Sequence, residues 1–526
     1  MMMKRWIALM CALVMMLSML ASCGQKESEL ALDTDGSGDE SAQTGGEIVE
    51  LNMYYPAYYG VPRDLQMVED AVNELVEEEL GVRIHLHTPE VGNYEQQMNL
   101  ALSSGEQVDL MLTYVYGAVG FTNLKSLNLL SDITDEMNTY GQDIQALLGD
   151  VLNATTDNGV IYGMCGNRPI KSDLYIIMRT DVLEDLGLLE KAENMTTFKE
   201  YEEILEAVKN SEKWSYLAGI VPMDTMGTII SLTGNYVTGD SFENTTVYDS
   251  LGYSTILIGS DPVSGEGNVY NNYASEQFHE MVLRVRDWNE KGYIYKDATA
   301  QTELAESMIK QNVAFSAFIQ TEGGQKACEA AKAMACGMPM TCVKVKEMPV
   351  LTSNATKFDW VVPVNTIDAE AAVRFLNFMY TSPELNNLLA WGIEGVHYEV
   401  KDGVACFMEG EDTSSAGYHS MEYFFGNQYL VTPWEGNDPD IRESQKADME
   451  NAEVSKYLGF VADLSEVESA VTAVQNVTME CLPAIASGFA SEEDYENFLT
   501  KLESAGAQKI IDTYQAQLSQ WMEKNQ

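Results

Sequence analysis

The side chains that perform covalent chemistry are sparse in this sequence and badly spaced for it. His279-Glu280 opens as a zinc-binding H-E-x-x-H helix does, but Leu283 stands at the second histidine position, so one imidazole ligand is missing. His85 and His87 share one face of a predicted strand and could chelate a metal. With five histidines in the chain, a half-buried strand pair is the better reading. Cys165, Cys328, Cys336, Cys342, Cys406 and Cys481 form no C-x-x-C pair and match no zinc or haem spacing. They read as small buried hydrophobes, mostly reduced and without metal. No G-x-S-x-G, Walker loop or complete G-x-G-x-x-G occurs. A glycosidase needs only two carboxylates, and 81 acidic residues always supply candidates, so composition does not exclude a hydrolase. No local motif favours one. The expectation is no catalytic residue, no metal and no cofactor.

Residues suited to holding a polar ligand are better placed. Tyr54, Tyr55, Tyr58 and Tyr59 crowd the turn after the first predicted strand, broken by Pro56 and Gly60. Tyr114 and Tyr116 follow the third predicted strand in the same way. The carboxyl ends of parallel strands face the ligand crevice in α/β sheets. Aromatic faces there stack on sugar rings, and tyrosine hydroxyls reach ring oxygens. Tyr236, Trp391 and Trp434 (between Pro433 and Gly436) are further aromatic candidates; Arg168, Gln320 and Glu394 are polar ones.

The charge narrows the partners. Acidic side chains number 81 against 31 basic ones in 526 residues, a formal net charge of −50. Nucleic acid is excluded, because phosphate binding needs a surplus of Lys and Arg. Polyanionic ligands and an electrostatically held membrane association are disfavoured on the same ground. The expected ligand is a neutral or weakly polar solute, a sugar ahead of a peptide.

Periodicity supplies the elements that would position these residues. Residues 48–54 alternate as a strand; residues 64–80 carry Leu65, Val68, Val72, Leu75 and Val76 at helical spacing, closed by Gly81. A strand at 82–87, a helix at 94–102 and a strand at 108–112 complete a βαβαβ pattern, which implies a parallel sheet. Strand-like runs recur at 174–178, 218–221, 341–351 and 360–364, and the last hundred residues are mostly helical.

The N-terminus reads as a secretion signal. Lys4 and Arg5 precede a nearly unbroken apolar run of 15 residues from Trp6 to Leu20, fewer than the roughly 20 of a spanning helix. Leu20-Ala21-Ser22-Cys23 resembles the lipobox of bacterial lipoproteins, which implies cleavage before Cys23 and its acylation. Residues 24–46, rich in Ser, Gly, Asp and Glu, read as a flexible tether.

Several segments in order resemble the extracellular solute-binding proteins of ABC importers, the sugar-type family 1, in its lipoprotein subfamily with a C-terminal extension. They are Asp157-Asn158-Gly159-Val160-Ile161-Tyr162-Gly163, Tyr175 to Leu183 with Leu186-Gly187-Leu188, and Trp288-Asn289-Glu290-Lys291-Gly292-Tyr293-Ile294. Ser382-Pro383-Glu384, Trp391-Gly392-Ile393-Glu394-Gly395-Val396-His397-Tyr398 and the closing 505–521 helix continue the series. Arg179-Thr180-Asp181 departs from the family's usual turn. The resemblance implies an α/β, two-lobed periplasmic-binding-protein-like type II fold with a hinge and a helical C-terminal region. It places lobe 1 at 48–168 and 360–405, lobe 2 at 170–358, and a mainly helical extension at 406–526 packed on lobe 2. It implies a monomer at the extracytoplasmic face of a bacterial cell membrane, anchored in lipid through Cys23. Such a protein delivers an oligosaccharide or other small neutral solute to ABC permease transmembrane subunits. A surface glycan-processing enzyme and a ligand sensor for a membrane signalling system are the alternatives.

Overall fold

A computed structural model describes residues 48–114, 117–230 and 235–525, with only the backbone of Asn235 and Tyr236. The signal segment 1–22, Cys23 and its tether, Tyr116 and the Tyr236 side chain lie outside the described residues.

Nine strands make two sheets. In chain order they are β1 (Val49–Tyr54), β2 (Val82–His87), β3 (Leu110–Leu112), β4 (Gly163–Cys165), β5 (Ser172–Arg179), β6 (Ala218–Val221), β7 (Ala314–Glu322), β8 (Met340–Lys346) and β9 (Asp359–Val361). The first sheet runs β2-β1-β3-β9-β4, the second β8-β5-β7-β6. β1 lies parallel to β2 and β3, as the alternation of strands and helices requires. β9 returns antiparallel, about 250 residues later in the sequence, between β3 and β4.

Helices α1 (Leu65–Leu80), α2 (Val91–Ser104) and α3 (Phe121–Ser126) pack with the first sheet. Along α1, Val68, Val72 and Val76 recur every four residues and are buried; Gly81 ends the helix at φ 65°, where its N–H bonds the Glu77 carbonyl. Helix α4 (Gly324–Cys336) follows β7 and packs on the second sheet. The departing turn at Arg179 proves to be a helix start. Arg179 donates from Nε and Nη2 to the two carboxylate oxygens of Asp181 (3.0 and 2.7 Å), and from Nη1 to Asn312.

The chain passes between the sheets three times, at about residues 166–171, 347–358 and 435–440. Helix α5 (Thr352–Ala355) lies in the second passage, and α6 (Ile441–Met449) follows the third and packs on α4. Ala154, Ile170, Val350, Ala355 and Leu458 form a small apolar core that holds these passages together. Helices α7 (Glu468–Ala486), α8 (Glu492–Ala505) and α9 (Ala507–Asn525) bury Leu482, Phe498 and Ile510 in the core that contains Ile176 and Phe318 of the second sheet. The six cysteines are unpaired, five of them buried.

One boundary needs correction. Residues 406–434 do not belong with the extension on lobe 2. Tyr418, Phe424, Phe425 and Val431 lie in the core of the first sheet with Tyr55 and Trp360. The Trp360 indole N–H donates to the Phe424 carbonyl (2.8 Å), and Asn167 and Gly426 share a backbone bond. Four large apolar side chains of this segment are buried in lobe 1, which holds it there.

Candidate functional site

Between the two sheets lies a cavity of about 660 Å³. From the lobe 1 side it is walled by Tyr59, Trp391, His419, Met421, Tyr423 and Trp434. Gln320 and Thr321 at the end of β7, with Ala327, Ala331 and Met334 on α4, make the opposite wall. Arg168, Glu322, Lys357 and Phe358 form its base. A mostly aromatic wall facing small side chains and amides is the usual make-up of a pocket for a polar, ring-containing ligand.

The aromatic wall is built around His419. Its ring centroid lies 4.5 Å from that of Trp434, 4.9 Å from Trp391 and Phe407, and 5.1 Å from Tyr59. The Trp391 ring is stacked on it at 18°. Burial among these rings pushes the imidazole down to about 4, so His419 is neutral at ordinary pH. Its Nδ1 is buried with no hydrogen-bond partner among the described residues. Trp391 is fixed by its indole N–H, which donates to the Thr432 carbonyl at 2.9 Å.

At the base two cations share one carboxylate. Arg168 donates to one oxygen of Glu322 at 2.5 Å and Lys357 to the other at 2.6 Å. Burial pushes the Glu322 carboxyl up, but the two cations outweigh it and hold it below its ordinary value. Arg168 also donates to the Asn354 carbonyl, and its guanidinium sits 5.7 Å over the Phe358 ring. Glu422, the remaining acid of the lining, pairs with Arg442 and accepts from Gln428. Each ion in the lining is therefore paired, with one cation in excess at the base.

Behind the base, Asp359 is fully buried on β9. One of its carboxyl oxygens contacts the Thr113 hydroxyl at 3.4 Å; the other has no partner among the described residues. Burial pushes its carboxyl up to about 8, with Arg168 and Thr113 opposing. The folded state thus keeps this proton while the unfolded chain loses it above about pH 4, so between about pH 4 and 8 the group makes stability fall with rising pH, by up to about 1.4 kcal/mol per pH unit. Urea unfolding at pH 5 and pH 7.5 should show Asp359→Asn gaining stability relative to wild type at the higher pH. Parallel profiles for the two proteins would refute the assignment.

The sequence-derived residues divide. Tyr59, Arg168, Gln320, Trp391 and Trp434 come together in this cavity. Tyr58 is exposed at its rim, edge-on to Tyr59 at 5.7 Å, and Tyr114 packs against Phe358 at 5.8 Å. Tyr54, Tyr55 and Glu394 are corrections. Tyr54 is buried, stacked on His87 at 4.4 Å and bonded to Glu106. The Tyr55 hydroxyl meets that of Tyr418 at 3.0 Å inside the core of lobe 1. Tyr55 lies under the segment 418–425, whereas Tyr54 packs with Tyr94, Met98 and Phe121 on the other side of the sheet's core. Glu394 is exposed on the turn before the Tyr398–Lys401 strand and does not line the cavity. Sequence reasoning missed His419, Met421, Tyr423, Lys357 and Phe358. The density of aromatic residues in 418–425 was the available signal, and it reads equally as core. His85 and His87 are also apart in role: His85 lies 3.6 Å from Glu50 and Glu69, while His87 bonds Asn52. Among the described residues, no cluster of three or more His, Cys, Asp or Glu side chains could hold a metal ion. No described helix is long and apolar enough to cross a membrane.

Residues 456–523 match a domain of unknown function, DUF3502. The chain is 23% identical over 514 residues to a carbohydrate ABC transporter substrate-binding protein of Streptococcus pneumoniae serotype 4, covering 96% of this chain and 95% of that protein. Its fold is similar to the crystal structure of the N-glycan transport solute-binding protein NgtS of Streptococcus pneumoniae, at 20% identity and a TM-score of 0.75, covering 91% of this chain and all of that one. The structure of NgtS in complex with Man5GlcNAc is similar at 20% identity and a TM-score of 0.61, covering 91% and 99%. Two α/β lobes joined by three passages, and similarity from end to end, are what the chain shares with these solute-binding proteins.

Proposed function

We propose that this protein captures an uncharged oligosaccharide between its lobes and delivers it to the permease of an ABC importer, held at the outer face of the membrane through Cys23. The observation that carries the reading is the aromatic wall of Tyr59, Trp391, His419 and Trp434 facing a polar wall in a cavity whose ions are all paired. An anionic ligand would have to compete with Glu322 for Arg168 and Lys357. A neutral sugar meets no such competition. Stacking supplies about 0.5–1.5 kcal/mol per ring beyond burial, and a micromolar complex needs about 8 kcal/mol, so several rings must act together. The names of the similar proteins agree, since they are described as carbohydrate or N-glycan binders. The glycan-processing alternative lacks support: Glu322 and Glu422 are tied into ion pairs, which suits neither a general acid nor a nucleophile.

Ligand closure follows from the hinge, because a sugar touching both walls favours the state in which both are near. A thermal-shift screen of neutral oligosaccharides, acidic oligosaccharides and peptides tests the reading. A ligand at 100 times its Kd stabilises by about 2.7 kcal/mol, so a neutral glycan should raise Tm clearly. A response to peptides alone would reject the sugar, and turnover of a bound glycan would reject pure binding.

A further inference from the structure

A second cavity, of about 640 Å³, opens where lobe 1, the hinge and the C-terminal helical region meet. Its floor is apolar: Phe121, Leu251, Phe460 and Tyr514 are each 5% exposed or less. Its rim is polar and carries Lys125, Asp157 and Asp463, one acid in excess. Lys125 pairs with Asp157 at 2.6 Å, and Asn123 and Ser353 add an amide and a hydroxyl. The Asn123 amide N–H donates to the Ala118 carbonyl at 2.8 Å, which orients the rest of the group.

This cavity has fixed walls. Gly459 presses its backbone on lobe 1 so closely that a Cβ there would sit 2.4 Å from the Asn153 carbonyl oxygen, and its φ of +89° belongs to glycine. Its N–H donates to the Thr352 hydroxyl oxygen of α5 at 2.9 Å. The wall from Gly459 to Leu464 is therefore anchored to both lobe 1 and the hinge.

One segment borders both cavities, and a second packs against it. In the second passage, Thr352, Ser353 and Thr356 line the second cavity, while the adjoining Lys357 and Phe358 line the first. In lobe 1, Tyr114 packs on Phe358, and the chain after it supplies Gly117 and α3 to the second cavity. The geometry points to the second cavity as an additional subsite for the far end of a long, uncharged glycan laid along the hinge. An apolar floor with a rim of hydroxyl and amide groups and a cancelled charge pair suits a sugar ring and offers an anion nothing. This inference rests on the binding function proposed above and extends it to ligand length.

Calorimetric titration of the full chain with Man1GlcNAc and with Man5GlcNAc tests it, using Val461→Trp and Asn123→Ala. Val461 is 42% exposed on the cavity wall, so a tryptophan there fills space without disturbing a core. The expected result is a tenfold or greater loss of Man5GlcNAc affinity in Val461→Trp and a several-fold loss in Asn123→Ala, with Man1GlcNAc within twofold of wild type. Unchanged Man5GlcNAc affinity in both variants would overturn the subsite while leaving the binding function intact. Equal losses for both sugars would overturn it as well, since the effect would then not depend on length. A wild-type chain that binds neither sugar would instead contradict the binding function and the subsite together.

Discussion

Replacing Lys171 by methionine should lower stability by about 3–5 kcal/mol, the cost of removing one partner from a buried ionic group. The Lys171 side chain is wholly buried, 3.3 Å from Asp173, 2.5 Å from Glu347 and 3.3 Å from Asp448. These acids stand on β5, on the second passage and on α6 after the third, so a single ammonium ties all three passages. Lys344 contacts Asp173 and Asp448 as well, at 2.8 and 3.1 Å, and softens the loss. Asp173 is 1% exposed, and without Lys171 two carboxylates would share the remaining cation. Urea unfolding should show the drop, and adding Asp448→Asn should recover part of it because one unpaired charge is removed. A loss below about 1 kcal/mol would mean that the node contributes specificity rather than stability.

The second large effect is on binding. Trp434→Ala and Tyr59→Ala should each weaken neutral-glycan affinity by about 2 kcal/mol, roughly 30-fold, as central aromatic anchors do. Both rings line the cavity from lobe 1 and flank His419. Tyr54→Phe should leave affinity unchanged, since Tyr54 stacks on His87 away from the cavity. Calorimetry on the three variants separates the two groups of tyrosines. A Tyr54→Phe loss equal to that of Tyr59→Ala would contradict the placement.

That contrast also shows where sequence reading reaches its limit. Local periodicity was enough for β1, α1 and β2, because alternation and a spacing of four residues are set by each element's own exposure to a core. The glycine after α1 marks its end for the same local reason: only the left-handed backbone satisfies the last carbonyls. Tyr54, Tyr55 and Tyr59 carry no such local mark. What separates them is the cover from residues 418–425, more than 350 positions away, which buries Tyr55 against Tyr418 and leaves Tyr59 beside His419. His419 could not be singled out, since its neutral state and its place in the wall come from Tyr59, Trp391, Phe407 and Trp434, four separated segments. The ion pairing of the lining was equally hidden. Arg168 is a polar candidate in the sequence, and only folding brings Glu322 and Lys357 to it.

The central claim is that an uncharged glycan binds against the aromatic wall between the lobes. Trp391 and Trp434 both belong to that wall, so intrinsic fluorescence reports on it directly. Titrating the protein with the neutral oligosaccharide that gives the largest thermal shift should give a saturable change in tryptophan emission, much reduced in Trp434→Phe and absent with an acidic glycan of similar length. A thermal shift with this sugar but no change in emission, or the same change in Trp434→Phe, would place the ligand elsewhere and contradict the account.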